Sequence, residues 1–425
     1  MNTPDPATTS NRPGSRPILP VVFGFDIADY AFARIFHEAV GVRSLVISEI
    51  LRGPINNSKI FDLEMVAKGT LGNEEKFIAL LHRIAAEHPD EQLILCVNSD
   101  EGVDYAARHR AELEDRWFLP YAPAEAVETA NSKRAMAEFL SSLGFAVPER
   151  VTVDLADPES WRERLEKMTF PVVVKPEDGT DVTRYHRQGL QKAMPVESMD
   201  EALATFGTWS ERGVHIRLIV QELIPGDDTT QWVVNGYVDS RGEVTATGSG
   251  RVLLGLHQPQ LVGNAAMILV QSNEELIADA QRIVLAAGMR GFFSMDVKID
   301  PRTGTAYWLD LNPRIGRGHY YLKVGGIDLA SAMLADMEGR VPSYQTNERD
   351  GIYTVIPMCL ANRTYLRDET LYTEVKRVRR ARRAINPLTY SKDRNPKRTL
   401  YRVINLVNQW RQMRACYPKP TESGF

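Results

Sequence analysis

The chain has 425 residues, of which 43% are hydrophobic and 25% are charged, and its formal net charge is −4 at pH 7. These values are typical of a soluble globular protein, and no run of about 18 apolar residues exists that would span a membrane. The length exceeds what one hydrophobic core usually supports, so we expect two or three domains.

Cysteine usage and the amino terminus indicate the cellular compartment. Cys96, Cys359 and Cys416 are too few and too scattered for a disulfide framework or a zinc site. Residues 1–17 are rich in Pro, Ser, Thr and Asn and lack an apolar core, so we expect a disordered arm rather than a signal peptide. Together these features predict a protein of the reducing cytoplasm.

Residues 18–125 alternate short apolar strands with amphipathic helices, a rhythm that predicts a parallel sheet with helices on its faces. Such sheets bind ligands at the carboxyl ends of their strands. The candidate substrate contacts at these ends are Gly24, Asp26, Ser99 and Asp100. A structural role is the alternative, in which Gly24 eases a turn and Asp26 caps a helix.

Two lysines follow in positions that suit a phosphate site. Lys133 lies near the start of a helix predicted over residues 126–143, and Lys175 ends a wholly apolar strand. A lysine there is costly to bury unless an anion pairs with it. The polar loop that follows offers backbone N–H groups to phosphoryl oxygens, and its residues are Glu177, Asp178, Gly179, Thr180 and Asp181. We prefer a phosphate site over a surface lysine at a strand edge.

The next strand, predicted over residues 215–224, stops abruptly at Pro225-Gly226-Asp227-Asp228, which indicates a hinge. A hairpin over residues 231–248 comes next. The loop-rich region behind it carries Arg251, His257 and Asn264, which we take as further candidate substrate contacts.

Residues 291–318 form a hairpin that gathers polar side chains on one face. Alternation places Asp296 on that face of the first strand, and places Trp308, Asp310 and Asn312 together on the returning strand. We expect Asp296 to lie diagonally across from Asp310, within about 7–8 Å. Oxygen ligands of this kind suit Mg²⁺ or Mn²⁺, although the hairpin alone would equally fit a solvated polar face.

The turn after this hairpin carries two guanidinium groups, those of Arg314 and Arg317. Arginine binds phosphoryl and carboxylate oxygens in a two-point geometry. The two guanidinium groups therefore suit phosphoryl oxygens, and we take Arg317 as a further candidate substrate contact.

The carboxyl-terminal part of the chain is strongly basic, with 15 Lys or Arg against 5 Asp or Glu from Arg367 onward. Its apolar residues recur on one face of a helix predicted between Leu400 and Met413. Two interpretations of this helix remain open. It could dock on the folded protein, or it could contact an anionic membrane at the inner face or an anionic precursor. Binding of nucleic acid is a third possibility, but we do not expect nucleic acid as a partner.

Four features occur together in one order: Lys133, Lys175 with its loop, the hinge QELIPGDD, and the hairpin that ends in Asn312-Pro313-Arg314. In this the chain resembles the ATP-grasp ligases over about residues 18–340. The segments PILPVVFGFDIADYAFARIFHEAVG and VQELIPGDDTTQWVVNGYVD are similar to those of D-aspartate ligases, which build the cross-bridge of bacterial peptidoglycan. The large chain of carbamoyl-phosphate synthetase shares the Asn-Pro-Arg ending, but one grasp module is present here.

The resemblance implies a mixed α/β fold. It places an amino-terminal parallel α/β domain at residues 18–125 and an ATP-grasp module at 126–345, followed by a basic extension at 346–425. Within the module it implies a lid at about 150–225 and an antiparallel, metal-binding sheet at about 226–340.

It also implies ATP and Mg²⁺ (or Mn²⁺) as cofactors. The nucleotide contacts would be Lys133, Lys175, Glu177, Asp178, Gly179, Thr180, Gln221, Glu222, Leu223, Ile224 and Asp228, with Asp228 on the ribose. Asp296, Asp310 and Asn312 would bind the metal, and Arg314 and Lys175 would act in catalysis. Many relatives carry Glu where Gln221 and Asp310 stand here.

The function that follows is an ATP-dependent carboxylate–amine ligase that works through an acyl phosphate. It would join D-aspartate or a similar amino acid to the amine of a UDP-linked or lipid-linked peptidoglycan precursor. The alternatives are a ligase of other amino acids, an activity like that of carbamoyl-phosphate synthetase, and a non-catalytic nucleotide-binding protein with a membrane-contact tail. If the protein forms an oligomer, we expect a homodimer.

Overall fold

The computed structural model describes residues 16–177, 181–259 and 261–424, and in these ranges the chain forms three β-sheets. The first sheet is parallel and the other two are largely antiparallel. This architecture confirms the mixed α/β fold that the sequence predicts. Most of the arm expected at residues 1–17 lies outside the described residues.

The amino-terminal sheet has the strand order β3-β2-β1-β4-β5. Its strands are β1 (Ile18–Phe23), β2 (Ser44–Ser48), β3 (Phe61–Met65), β4 (Gln92–Val97) and β5 (Trp117–Phe118). Its helices are α1 (Ile27–Val40), α2 (Glu74–Glu87), α3 (Asp100–Arg108) and α4 (Arg110–Leu113), followed by α5 (Ala124–Asn131) and α6 (Lys133–Ser142). Strands β1 and β4 are largely buried because helices cover both faces of the sheet, which explains their continuous apolar runs. Their carboxyl ends lie side by side, since Phe23 pairs with Val97.

One helix expected over residues 126–143 is in fact two, α5 and α6. Ser132 interrupts it with an extended backbone, and its hydroxyl accepts the N–H of Ala135 as an N-terminal cap. A serine hydroxyl competes with the helical hydrogen bonds in this way, so a new helix begins there. As a result Lys133 occupies the first turn of α6 rather than the interior of a longer helix.

The second sheet has the antiparallel order β6-β9-β7-β8 and a hydrophobic core of its own. Its strands are β6 (Arg150–Asp154), β7 (Val172–Pro176), β8 (Met194–Val196) and β9 (Arg217–Glu222). Its helices are α7 (Trp161–Leu165), α8 (Asp181–Tyr185) and α9 (Met199–Glu211), with 3₁₀ turns at Pro158–Ser160 and His186–Gln188. Trp161, Phe206 and Trp209 pack together in this separate core. A layer with its own core can change its position as a unit relative to the other layers.

The third sheet is the largest, with the order β14-β13-β10-β11-β12-β15-β16. Its strands are β10 (Gln231–Val238), β11 (Val244–Gly255), β12 (Ala265–Val270), β13 (Gly291–Ile299), β14 (Ala306–Asn312), β15 (Gly351–Thr354) and β16 (Ala384–Ile385). Its helices are α10 (Glu274–Ala286), α11 (Tyr321–Val324), α12 (Leu329–Met337), α13 (Glu369–Arg380) and α14 (Pro396–Cys416), with 3₁₀ turns at Asp228–Thr230, Met358–Leu360 and Ser391–Asp393. Strands β15 and β16 show that residues beyond 345 complete this sheet.

A β-bulge at Leu309 changes the predicted faces of the hairpin β13–β14. Asp296 pairs directly with Asp310 rather than diagonally, and the next pair is Val297 with Trp308. The extra residue reverses the alternation, so Trp308 leaves the carboxylate face and packs in the core against Phe145, with ring centroids 6.0 Å apart. The expectation that Trp308 shares a face with Asp310 is therefore wrong, and Asp310 lies directly opposite Asp296 instead of diagonally across from it.

The basic tail forms α14 where the apolar periodicity predicts a helix, and this helix packs on the amino-terminal domain. The buried guanidinium of Arg398 pairs with Asp393 at 3.1 Å, lies over the ring of Tyr30 and donates to the carbonyl oxygens of Pro54 and Asn56. Across the described part of the chain, no helix is both long and apolar enough to cross a bilayer.

Candidate active site

A cavity of about 2020 Å³ lies where the three sheets meet. Its walls come from the carboxyl ends of β1 and β4, from β7 and β9, from the hairpin β13–β14 and from one face of α14. Sites for one small ligand are usually about 300–1,000 Å³ in volume. This cavity therefore has room for more than one substrate at the same time.

The predicted strand-end residues Gly24, Asp26, Ser99 and Asp100 all line this cavity. Gly24 has a φ of 148°, and a Cβ there would lie 2.2 Å from a carboxylate oxygen of Asp29, so the close approach requires glycine. Asp26 caps α1, as the structural alternative expects. Burial raises the pKa of Asp29 to about 7, and this carboxyl group also lines the cavity although no sequence motif marks it.

The two arginines of the turn after β14 join the hairpin to these strand ends. Arg314 Nε lies 2.5 Å from a carboxylate oxygen of Asp100, and Arg317 Nε lies 2.7 Å from one of Asp26. Each arginine contacts its partner through two nitrogens, and each side chain is 19% exposed. The four residues thus form one polar wall of the cavity. The two residues of each ion pair are 214 and 291 positions apart in the chain, so only the tertiary structure brings them together.

Asp296 and Asp310 face the cavity from the hairpin as a closely spaced acidic pair. Burial raises the pKa of Asp296 to about 6, and repulsion from Asp310 adds to this shift. Lys192 approaches from the second sheet and lines the cavity. Its surroundings partly remove water from the ammonium group and so lower its pKa, although the side chain is still exposed to solvent in the cavity. The attraction of the two carboxylates opposes that decrease. The sequence analysis missed Lys192 because it belongs to no recognisable motif.

The two predicted phosphate lysines lie on either side of the loop that follows β7. Lys175 lines the cavity at the end of this strand. Lys133 Nζ donates to the carbonyl oxygens of Pro176 and Glu177, at 3.0 Å each, and so connects the start of α6 to the loop. Of the loop residues predicted to cover a phosphate, Asp178, Gly179 and Thr180 lie outside the described residues.

The predicted hinge forms another wall of the cavity, lined by Gln221, Glu222, Leu223, Ile224 and Asp228. The carboxylate of Asp228 is 3% exposed and accepts the N–H of Gly255 at 2.8 Å, and His257 Nε2 lies 3.0 Å from the same oxygen. The protein itself therefore binds this carboxylate, which we had assigned to a ribose.

The central part of this structure matches a known domain. Residues 130–318 match the family described as the ATP-grasp domain. The chain is also 27% identical over 342 residues to the D-aspartate ligase of Enterococcus faecium strain Aus0004. The aligned region covers 78% of this chain and 80% of that protein. Residues 130–318 of this chain therefore form an ATP-grasp domain. The resemblance found in the sequence is confirmed, as is the prediction of an ATP-dependent enzyme that joins a carboxylate to an amine.

Solved structures share this fold. The ADP complex of N5-carboxyaminoimidazole ribonucleotide synthetase has a TM-score of 0.58 and 13% identity, with 80% of this chain and 81% of that chain covered. The L-amino acid ligase from Bacillus licheniformis has a TM-score of 0.52 and 17% identity, with 76% and 74% covered. At such identities the likeness describes the fold alone.

The protein closes the hinge end of its cavity with residues far outside the matched domain. The ring of Tyr417 stacks on His257, with centroids 3.5 Å apart and planes at 6°. The carbonyl oxygen of Glu422 accepts the N–H of Gly226 at 2.6 Å, and that of Ser423 accepts Lys298 Nζ at 3.0 Å. Burial lowers the pKa of Lys298 to about 8, against the attraction of nearby carboxylates. Nothing in the local sequence of residues 417–424 predicts this contact.

Two of the predicted substrate residues donate hydrogen bonds within the protein. Arg251 does not line the cavity, and its Nε donates to the carbonyl oxygen of Thr229 at 2.7 Å. Asn264 does line the cavity, but its amide donates to the carbonyl oxygen of Leu261 at 2.9 Å. Arg251 thus lies outside the cavity wall, whereas Asn264 stays a predicted substrate contact.

The hairpin offers three oxygen atoms that could bind a metal ion. Within residues 16–177, 181–259 and 261–424, no group of three or more His, Cys, Asp and Glu side chains is arranged to hold a metal ion. The third oxygen beside Asp296 and Asp310 is the amide oxygen of Asn312, which lies 3.4 Å from an Arg314 nitrogen. Two carboxylates and one amide oxygen form a hard donor set, of the kind that Mg²⁺ accepts.

Proposed function

We propose that this ATP-grasp ligase activates the carboxylate of D-aspartate, or of a closely similar amino acid, and joins it to the amine of a peptidoglycan precursor. The observation that carries the proposal is the cavity in which Lys175, the Asp296–Asp310 pair and the arginines of the turn converge. The relationship to an enterococcal D-aspartate ligase supports the choice of amino acid.

The cavity divides into sites for the parts of ATP. The hinge residues 221–224 would border the adenine, partly through their main chain. Lys175 would bind phosphate oxygens. Lys133, which is held against the loop after β7, would act at the same end. Because Asp228 is bound by Gly255 and His257, it would shape the wall beside the ribose rather than bind the ribose hydroxyls directly.

Asp296, Asp310 and Asn312 fit a divalent cation. Burial raises the pKa of Asp296 and repulsion from the adjacent Asp310 adds to the shift, so a cation bound between the two carboxylates would be favourable. These three residues would therefore hold Mg²⁺ or Mn²⁺. When bound, the ion would neutralise charge on the phosphates of ATP.

The reaction needs two steps because a free carboxylate is a poor electrophile. In the first step a carboxylate oxygen of the amino acid bonds to the γ-phosphorus of ATP, the bond from that phosphorus to the β,γ-bridging oxygen breaks, and ADP forms. In the second step the amine attacks the acyl carbon, phosphate leaves with the bonding electrons, and the amine loses a proton. Arg314 would stabilise charge on the phosphoryl group and on the tetrahedral oxyanion.

The strand-end residues would bind the amino acid. Asp26 and Asp100 could receive its ammonium group, and Arg317 its second carboxylate, since all three line the same wall of the cavity. Each binding event would replace an internal ion pair, Arg314–Asp100 or Arg317–Asp26, with a pair to the substrate. The exchange conserves charge, and the two arginines are already largely shielded from water in the free enzyme, so it adds little desolvation cost for them.

The test is ADP release with a panel of D- and L-amino acids, measured with and without a UDP-linked muropeptide as acceptor. We expect D-aspartate to give the highest rate, and the acceptor to be required for amide product detected by mass spectrometry. If no amino acid stimulates ADP release, the proposed ligase reaction is wrong. If another amino acid is preferred, the choice of D-aspartate is wrong while the reaction class stands.

A further inference from the structure

Helix α14 has two faces of different character. Its inner face contacts the enzyme: Arg398 is buried, and Tyr401, Asn405 and Gln409 line the cavity. The helix therefore borders the cavity and is at the same time part of the protein surface. Whatever binds its outer face would lie beside the cavity.

The outer face of α14 exposes a continuous apolar stripe. Its members, with their exposed fractions, are Leu400 at 62%, Val403 at 51%, Ile404 at 49%, Val407 at 51% and Trp410 at 38%. They recur every three or four residues and so form one ridge along the helix. Five of the eleven large hydrophobic residues exposed in the described chain belong to this helix. A cluster of this kind indicates an interaction surface.

Positive charge continues the same stripe. Arg411 and Arg414 follow Val407 and Trp410 at helical spacing, both are exposed, and the guanidinium of Arg414 lies over the Trp410 ring at 5.2 Å. The sequence has no Asp or Glu from Arg394 to Thr421. Exposed Lys397 and Lys419 extend the positive charge to both ends of the helix.

We propose that this face of α14 binds the surface of an anionic lipid bilayer. The apolar ridge enters the boundary between headgroups and acyl chains, Trp410 lies at the level of the headgroups, and the arginines pair with lipid phosphates. A symmetric dimer through this face would place one basic helix against another with no acidic residue to neutralise it. Charge complementarity therefore favours the bilayer over a second copy of the chain.

The contact has a consequence for the acceptor substrate, and this part rests on the proposed function. With α14 on the bilayer, the cavity lined by Tyr401, Asn405 and Gln409 lies next to the headgroup layer. An amine carried on a lipid-linked precursor then reaches the acyl phosphate without leaving the membrane. The membrane contact itself needs no assumption about the reaction.

The experiment is flotation of the full-length protein with two kinds of vesicle, phosphatidylcholine alone and phosphatidylcholine mixed with phosphatidylglycerol. We expect binding to the mixed vesicles, and binding that weakens as salt is added. The double variant I404S/V407S should bind about tenfold more weakly because apolar burial is lost. The double variant R411Q/R414Q should lose at least about tenfold because each charge contributes about 1 kcal/mol near an anionic surface.

The matched control is Val341→Ser, which removes a side chain that is 76% exposed outside α14 and should leave vesicle binding unchanged. ADP release with soluble substrates should be equal in all four proteins, so failure of the ligase reaction is distinguished from failure of the membrane contact. Equal flotation of the wild type and both double variants, or no flotation with anionic vesicles, would overturn the proposal. So would a dimer in analytical ultracentrifugation that I404S/V407S dissociates without any change in vesicle binding.

Discussion

The two ends of the cavity differ in their chemistry and in their origin. The hairpin end concentrates charge: Asp296, Asp310, Lys192 and Lys175 face one another there. The hinge end is closed mainly by main-chain carbonyl oxygens and by the ring of Tyr417 stacked on His257. In the proposed function, phosphoryl chemistry would occur at the charged end, and the hinge end would provide shape and exclude water.

The largest effect should come from removing one charge of the acidic pair. We expect Asp310→Asn to reduce ATP turnover by about 10³-fold, because a metal ligand supplies several kcal/mol to the transition state. The thermal midpoint without metal should stay the same or rise, since repulsion with Asp296 disappears. ADP release and a thermal melt measure both quantities.

The matched control for Asp310→Asn is Asp279→Asn on the outer helix α10, which removes a carboxylate that pairs with Arg282 at 3.2 Å. Turnover in this control should equal that of the wild type. Turnover of Asp310→Asn within a few-fold of the wild type would mean that the hairpin end is a solvated surface rather than a metal site.

Lys192 tests whether the second sheet contributes to the charged end. Lys192→Met keeps most of the chain length and removes the cation that faces Asp296 and Asp310. We expect a loss of about 10²-fold in kcat/KM, equivalent to about 2.7 kcal/mol of transition-state stabilisation. Lys167→Met, at a lysine paired with Glu163 on the surface of the same layer, is the control and should have no effect.

Tyr417 tests the hinge end. Tyr417→Ala removes the ring stacked on His257, which in turn contacts Asp228. We expect KM for ATP to rise about tenfold, about 1.4 kcal/mol, with a smaller change in kcat because this end lies away from the transferred phosphoryl group. Tyr417→Phe should retain near-normal KM, since it keeps the ring. An equal fall of kcat in both variants would contradict the distinction between the two ends.

The smallest effect on activity should come from His319, behind the turn that carries the two arginines. Burial lowers its pKa to about 4, and its Nδ1 donates to the carbonyl oxygen of Gly316 at 2.9 Å. Below a pH of about 6.5 the unfolded chain binds a proton that the folded protein excludes, so stability falls as the pH decreases toward 4. The cost at pH 5 is about 2 kcal/mol.

The measurement is urea unfolding of the wild type and of His319→Gln at pH 7.5 and at pH 5. We expect the wild type to lose more stability between the two pH values than the variant does, by about 2 kcal/mol. A pH dependence that is the same in the two proteins would assign the acid sensitivity to other groups.

Local patterns predicted the charged end well. The apolar strand that ends in Lys175 and the hairpin with Asp296 and Asp310 were recognised because alternation and turn residues act over a few positions. The same patterns predicted the parallel amino-terminal sheet and the helix in the basic tail. They failed where one residue changes the local geometry, at the Ser132 cap and at the Leu309 bulge.

Only the tertiary structure assembled the rest of the site. The pairing of Arg317 with Asp26, the approach of Lys192 to the hairpin and the closure by residues 417–424 each join segments that are far apart in the chain. No local periodicity records such contacts, because their energy arises only when the sheets pack and exclude water between them. The sequence by itself determined most of the strands and helices and the polar side chains that end them, and the packing of three sheets decided which of those side chains meet.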